Sequence, residues 1–516
     1  MKQQEYYLGL DCGTDSVGYA VTDTEYHPLR FKGEPMMGIT TFDAASLSTD
    51  RRTNRTNRRR LHRRQQRVQL LQEVFAQAIT EVDPRFFTRL RESALWREDK
   101  SDSNDPNALF GDDGFTDKEY HKNYPTIHHL ICDLMQSTQK HDVRLVYLAC
   151  AWLVAHRGHF LSPVKEDNIR EAVDIAIPYQ MLMDWFDEVK PWQADPAEFG
   201  SILKNRRSVR DKEKEFYALL YEGKKPSDLF SDPDDPDAFA VSRVMMLRLL
   251  CGGKVASKDL FPYKADRYAE LSSFSLGGKE EELEDVLPGL EEDGELVIRL
   301  KALYDWAVLS DVLRGETSIS AAKVKTYEQH KQDLKWLKAF IRKYVPDQYD
   351  KVFTAEQEGN YPAYTDHPSD GKTGTKTASK AEFSDFLKKI VKDIHVDESD
   401  RQKYDDMIVR LDANTFLPKQ KDTDNRVIPY QLYAVELRDI LAHASDYLPF
   451  LSEKDENGRS AADKIAQIFR FRIPYFVGPL NQKSGRAWLS RKEGRITPWN
   501  FTEMVDLDAS ENALLS

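Results

Sequence analysis

Nine arginines fall within the seventeen positions from Arg51 to Arg67, and no acidic residue interrupts them. The whole chain carries a formal charge of −12, so everything outside these nine positive charges sums to −21. No Gly or Pro occurs between Arg51 and Phe75, and Leu61, Val68, Leu71 and Phe75 recur at helical spacing. Arginine is a good helix former, so the stretch is predicted to be helical. Five like-charge pairs then stand four residues apart: Arg51/Arg55, Arg55/Arg59, Arg59/Arg63, Arg60/Arg64 and Arg63/Arg67. Each costs roughly 0.2–0.5 kcal/mol, about 1–2.5 kcal/mol together. A polyanion relieves that penalty, because phosphate contacts also release counterions. Arginine suits such contacts through its two-pronged guanidinium. The apolar stripe leads directly into hydrophobic sequence, so the helix is expected to be built into the fold rather than to be a detached localisation signal.

At 516 residues the chain exceeds a single core, and roughly three domains are expected. Hydrophobic residues make up 40%, with 25 Phe and 23 Tyr, which excludes a disordered chain. The acidic balance does not exclude nucleic acid, since what matters is where the basic charge sits. Cys12, Cys132, Cys150 and Cys251 lie far apart without metal-ligand or redox spacing, which points to a reducing compartment. No signal-peptide run and no apolar stretch of about 18 residues is present. The expectation is a cytoplasmic protein with no membrane partner.

Tyr6 to Asp11 reads as a strand, Cys12 to Ser16 as a turn and Val17 to Val21 as a second strand. Aspartate is disfavoured inside strands, so Asp11 needs a cation or donated hydrogen bonds to repay its desolvation. Turn capping is the plain reading. The string from Leu10 to Ala20 also resembles the first strand pair of the RNase H-like superfamily, where the strand-end Asp binds divalent metal. It equally resembles the first phosphate loop of actin-like ATPases and sugar kinases. Both uses set a hard oxygen ligand beside phosphate, and Mg²⁺ is the expected ion. The hairpin alone leaves nuclease and ATPase open.

From Gln72 to about Phe450 the pattern is one of amphipathic helices. Arg144 to Val154 is nearly all apolar and therefore predicted to be buried. Trp306–Arg314 and Tyr327–Lys343 are further helices. Breaks are expected at Lys225–Asp237, Gly277–Glu295 and Glu358–Lys376, the last as a mobile loop. They suggest an inserted helical subdomain at 170–305 between two parts of one helical domain, 76–169 and 306–516. His128/His129 and His156/His159 have no nearby carboxylate or cysteine to complete a metal site, so packed or phosphate-facing roles are expected. No P-loop or dinucleotide motif occurs. Near the C-terminus, Phe469–Pro479 and Ile496–Phe501 interleave aromatic and basic residues, a composition suited to backbone contact plus stacking or to a packed loop.

LGLDCGTDSVGYAVTD, RTNRRRLHRRQQR, YPTIHHL, AHRGHF, YEQHKQDL, NRVIPYQL, FRIPYFVGPL and ITPWNF occur in that order. Together they resemble the N-terminal part of the type II CRISPR RNA-guided DNA endonucleases across residues 8–501. The resemblance implies a mostly α fold: a large helical recognition lobe with a small N-terminal β-hairpin piece, residues 1–50, of an RNase H-like (RuvC) α/β domain. Residues 51–75 would be the bridge helix. It implies Asp11 as catalytic metal ligand for Mg²⁺. It implies Arg52, Arg55, Arg59, Arg60, Arg63, Arg64 and Arg67 as RNA contacts, with Arg157, Tyr327, His330, Arg472 and Tyr475 as further RNA contacts and Asn500 as a heteroduplex contact. Expected partners are guide RNA (CRISPR RNA with trans-activating RNA), target DNA and a missing C-terminal half, in a bacterial cytoplasm. The family also needs further RuvC carboxylates, an HNH domain and a PAM-reading domain, none of which follows Phe501. The chain is therefore expected to be a truncated piece that binds RNA but does not cut DNA alone, because one carboxylate cannot assemble a two-metal site. The alternatives are the actin-like ATPase or sugar kinase, for which no second phosphate loop is found, and a non-catalytic RNA-binding scaffold.

Overall fold

The computed structural model describes residues 5–471, apart from residue 14 and residues 44–47, 102–106, 163–165, 167–173, 187–191, 205–207, 225–241, 279, 356, 366–376, 393, 421 and 457. The chain divides after Leu70 into two compact units.

In the first unit, β1 (Tyr7–Cys12) and β2 (Ser16–Thr22) form an antiparallel hairpin that places Asp11 opposite Gly18. Its turn is closed by Gly13 N–H donating to Ser16 O at 2.8 Å. A strand not read from the sequence, β3 (Met37–Thr41), pairs with β2 and makes β2 the centre of a three-stranded sheet. Alternation along β3 is weak: MGITT carries a glycine and no regular apolar/polar period. Every residue of β1 and β3 is exposed. Helix α1 follows as one continuous element, Ser48–Val82, so the predicted helix is longer at both ends.

The second unit is helical. Leu71, Phe75 and Ile79, spaced four apart on α1, are fully buried. Phe75 and Phe86 both pack edge-on against Tyr147, at 5.5 and 6.1 Å. Tyr147 belongs to α3 (Val143–Ala155), which is buried on nearly all sides as its composition requires. Next to it lies α2 (Ile127–Gln136). Residues from Leu161 to Ala307 form a second core, built on α4 (Ala176–Trp185), α5 (Pro196–Lys204), α6 (Val209–Tyr221), α7 (Arg243–Leu250), α8 (Glu280–Leu290) and α9 (Gly294–Leu313). A third core joins α10 (Ile319–Tyr344), α11 (Lys380–Val391) and α12 (Glu398–Asp412). Then come α13 (Tyr430–Ser445) and α14 (Ala461–Arg470).

Two expected breaks are corrected. Gly277–Glu295 holds α8, despite its acidic composition and Pro288. Leu283, Val286, Leu287 and Leu290 bury one helical face, and that burial outweighs the cost of an internal proline. Within Glu358–Lys376, Tyr361–Tyr364 is a helical turn capped by Asn360, with Ala363 and Tyr364 buried. Residues 366–376 of that break, and the predicted break Lys225–Asp237, lie outside the described residues. Among the described residues no helix is long and apolar enough to cross a membrane.

Candidate nucleic-acid interface

Exposure falls along α1 in the order of its arginines. Arg55, Arg59 and Arg60 are exposed, Arg63 and Arg64 are half-buried, and Arg67 is buried. Arg67 stands one turn before Leu71, on the face that Phe75 and Ile79 continue. Burial, with the neighbouring charges of Arg64, Arg60 and Arg63, pushes its guanidinium down to about 10. Leu61, grouped by spacing with the apolar stripe, is instead 57% exposed, because the buried face begins further along the helix. Arg52 sits on the same helix with its side chain outside the described set. An unbroken helix thus presents a run of cations with no acidic residue from Arg51 to Val68, a surface that matches a phosphate backbone in charge.

Segments far apart in sequence meet in the second unit. His129 of YPTIHHL sets its ring edge on Tyr327 of YEQHKQDL at 5.4 Å, with Nε2 3.4 Å from Glu328. Tyr327 is 36% exposed, and the Lys331 ammonium lies 5.8 Å over its ring. His330 faces protein on both nitrogens. Nδ1 donates to the Pro418 carbonyl at 2.9 Å, which leaves Nε2 of the neutral ring to accept from the Tyr361 hydroxyl at 2.9 Å. Burial holds its pKa below the ordinary histidine value.

AHRGHF meets NRVIPYQL in the same way. His159 N–H donates to Ile428 O at 3.0 Å, and Tyr430 N–H returns to His159 O at 2.8 Å. Phe160 and Tyr430 stack at 4.3 Å and 9°. Arg157 Nη1 donates to the carbonyls of Phe469 and Phe471 at 2.6 and 2.7 Å, and its guanidinium lies 4.6 Å over Phe160. Arg472, Tyr475 and Asn500 lie outside the described residues.

One histidine of each pair, His128 and His159, is packed among protein groups. His128 is buried against Ser320 Oγ at 3.0 Å, and desolvation pushes it down to about 3. His159 Nε2 lies 3.2 Å from both Asp305 Oδ2 and Val427 O. Asp11 is exposed at the end of β1. Among the described residues no group of three or more His, Cys, Asp and Glu side chains could hold a metal ion. The described residues around Asp11 therefore do not by themselves fit a two-ion centre, and no hydrolytic step is assigned to them.

Sequence reasoning missed two buried ionic groups, Lys301–Asp305–His159 and the network of Asp83 with Arg144. The signal was present in the first case: Lys301 and Asp305 stand four apart in the mostly apolar stretch Leu300–Leu309 of α9, a spacing at which opposite charges meet.

An arginine-rich helix, α1, and a large set of helices after it are the features that the comparisons with known proteins address. A family model for the REC lobe of CRISPR-associated endonuclease Cas9 matches residues 186–516, and one for the bridge helix of the same endonuclease matches residues 51–83. The chain is 34% identical over 541 aligned residues to the CRISPR-associated endonuclease Cas9 of Listeria innocua serovar 6a, covering 98% of this chain and 37% of the relative. It is 34% identical over 537 aligned residues to that of Streptococcus mutans serotype c, covering 100% and 37%. The chain belongs to the Cas9 family, and it spans 37% of the length of these curated relatives. Membership decides between the readings the hairpin left open, in favour of a nuclease family over the ATPases.

Proposed function

We propose that this chain is the guide-RNA-holding part of an RNA-guided DNA endonuclease. The arginines of α1 bind the RNA backbone, and the helical second unit cradles guide RNA and the guide–target heteroduplex. The observation that carries this is the continuous helix α1 with exposed Arg55, Arg59 and Arg60 and no acidic residue beside them. Tyr327, with Lys331 over its ring, and Arg157 are further candidate contacts. The same holds by motif for His330, Arg472, Tyr475 and Asn500. In this reading residues 1–50 form the nuclease piece, residues 170–305 form an inserted helical subdomain, and Asp11 supplies a hard oxygen for Mg²⁺.

A salt series of RNA binding tests the reading. Replacing Arg59 and Arg63 by Ala is expected to flatten the slope of log K against log salt by about two units if each contacts a phosphate, or by about 1.4 where the shallower single-strand coefficient applies. An unchanged slope counts against phosphate contact by these residues. For cleavage, the 516-residue chain with guide RNA and magnesium is expected to leave target DNA intact, since a two-ion centre needs more carboxylates than Asp11. Cutting that disappears in Asp11→Ala would refute that expectation.

A further inference from the structure

Helix α1 ends in a buried ionic network. Val82 is its last residue, and Asp83 caps the end, its N–H donating to Ile79 O at 2.7 Å. The Asp83 carboxylate takes Arg144 Nη1 at 3.1 Å and also pairs with Arg89. Arg144 is the hub, with a side chain only 3% exposed. Its Nε donates to both oxygens of Asp142 at 3.1 Å, its Nη2 donates to Asp142 at 2.6 Å, and Nη2 pairs also with Asp112. Arg89 reaches on to the Leu109 carbonyl through Nε at 3.1 Å and Nη2 at 2.8 Å. Four separate stretches of chain therefore converge where α1 stops: the cap at Asp83, the helix carrying Arg89, the Leu109–Asp112 stretch and the start of α3.

The chemistry suits a rigid joint. A guanidinium offers five donors in a fixed fork, so one buried arginine can hold carboxylates from three directions at once. The Arg144 guanidinium also lies 5.2 Å over the Phe110 ring, beneath the aromatic cluster of Phe86 and Tyr147. Burial favours the neutral form of Asp83, but hydrogen bonds and charge from Arg89, with the Arg85 N–H and Arg144, outweigh it and hold the carboxyl below its ordinary value. Asp83 thus stays ionised at neutral pH. Two helical turns before it on the same helix, Phe75 is fully buried, so apolar packing and the ionic joint grip one end of α1 together.

We propose that Arg144 is the positioning residue for the arginine helix, holding its C-terminal root through Asp83 so that RNA binding does not have to bear the cost of ordering it. The proposal rests on the nucleic-acid reading of α1. It makes Arg144, which contacts no ligand in this account, a determinant of RNA affinity.

The test compares Arg144→Met and Asp83→Asn with the unaltered 516-residue chain, using fluorescein-labelled single-stranded RNA of mixed sequence as probe. Each variant is expected to bind RNA about tenfold more weakly, with a shallower salt slope because fewer phosphates are engaged together. Amide exchange over Leu71–Val82 is expected to speed up, while the core from Leu337 to Leu417 keeps its protection. Arg144→Lys, which keeps the charge and loses the fork, should fall between. Faster exchange with unaltered affinity and slope makes the network structural only and overturns the proposal, as does unaltered exchange. If Arg144→Met does not fold, Asp112→Asn removes a single arm, at a carboxylate 44% exposed, and is read the same way. No RNA binding by the unaltered chain defeats the nucleic-acid reading itself, whereas binding by that chain that is insensitive to all of these changes defeats only the positioning role.

Discussion

Glu436 accepts two hydrogen bonds from Ser320, one from the backbone N–H at 2.8 Å and one from the hydroxyl at 2.7 Å. While Glu436 is ionised the single hydroxyl proton goes to it, so His128 Nδ1, 3.0 Å away, donates to Ser320 Oγ. The chain α2–α10–α13 is thereby tied by three polar groups in an apolar setting, with Lys323 and Tyr433 nearby. Burial raises Glu436 to about 7, against opposing hydrogen bonds from Ser320 and the charge of Lys323.

Stability should depend on pH through this group with an unusual sign. The folded state binds a proton at Glu436 that the unfolded chain has already released. Its contribution is full below the ordinary carboxylate value of 4.5 and is lost as pH rises through about 7. Relative to wild type, Glu436→Gln should gain up to about 3 kcal/mol over that window. His128 works in the opposite direction, present above 6.5 and lost as pH falls toward about 3. Chemical denaturation of both proteins from acid to neutral pH checks this, and a difference that does not change with pH removes the assignment.

Gly158 has φ 75°, and a Cβ there would run into the Ile428 carbonyl and stand 3.2 Å from Pro429 C and Tyr430 N. Both partner backbones are fixed by the His159–Ile428 and Tyr430–His159 hydrogen bonds, so neither can retreat cheaply. Gly158→Ala is expected to destabilise by about 2 kcal/mol or more. Thermal unfolding reads the loss. A shift within experimental scatter would mean that the two motifs do not depend on this close approach.

Local signals made the main helix legible: nine arginines without glycine or proline define α1, and Asp11 in a run of branched and aromatic residues defines a strand end. The groups that fix the lobe were not legible, because their partners are distant in sequence. Nothing near His159 announces Asp305, and nothing near Glu436 announces Ser320. Composition misled at Glu280–Leu290, where an acidic sequence still buries Leu283, Val286, Leu287 and Leu290 on one helical face. Leu61 misled for the opposite reason: one apolar residue at the right spacing is weak evidence of burial inside an arginine-rich stretch.

Lys301, Asp305 and His159 are all buried, with Lys301 Nζ 2.8 Å from Asp305 Oδ1 and 3.2 Å from the Leu276 carbonyl. Asp305→Ala strands the ammonium and is expected to cost about 3–5 kcal/mol. The double variant Lys301→Met with Asp305→Leu should recover most of that loss, since it removes both charges and keeps the volume. Urea unfolding of the single and double variants gives the comparison. A double variant as unstable as the single would show that the acid acts chiefly through His159.

Arg59 is exposed on α1 and stands four residues from both Arg55 and Arg63. Without a polyanion it is repelled twice, so Arg59→Gln should stabilise the free chain by about 0.4–1 kcal/mol at low salt. The gain should fade as salt screens the repulsion over a Debye length of about 8 Å at physiological strength. In RNA binding the same substitution should act in reverse, lowering affinity and reducing the salt slope by about one unit. Stability and binding moving in opposite directions is the signature of a side chain placed for a ligand rather than for the fold. Denaturation at two salt concentrations and a binding series measure the two halves separately. Loss of stability in both conditions would instead make Arg59 a structural residue, and the phosphate role would pass to its neighbours on the helix.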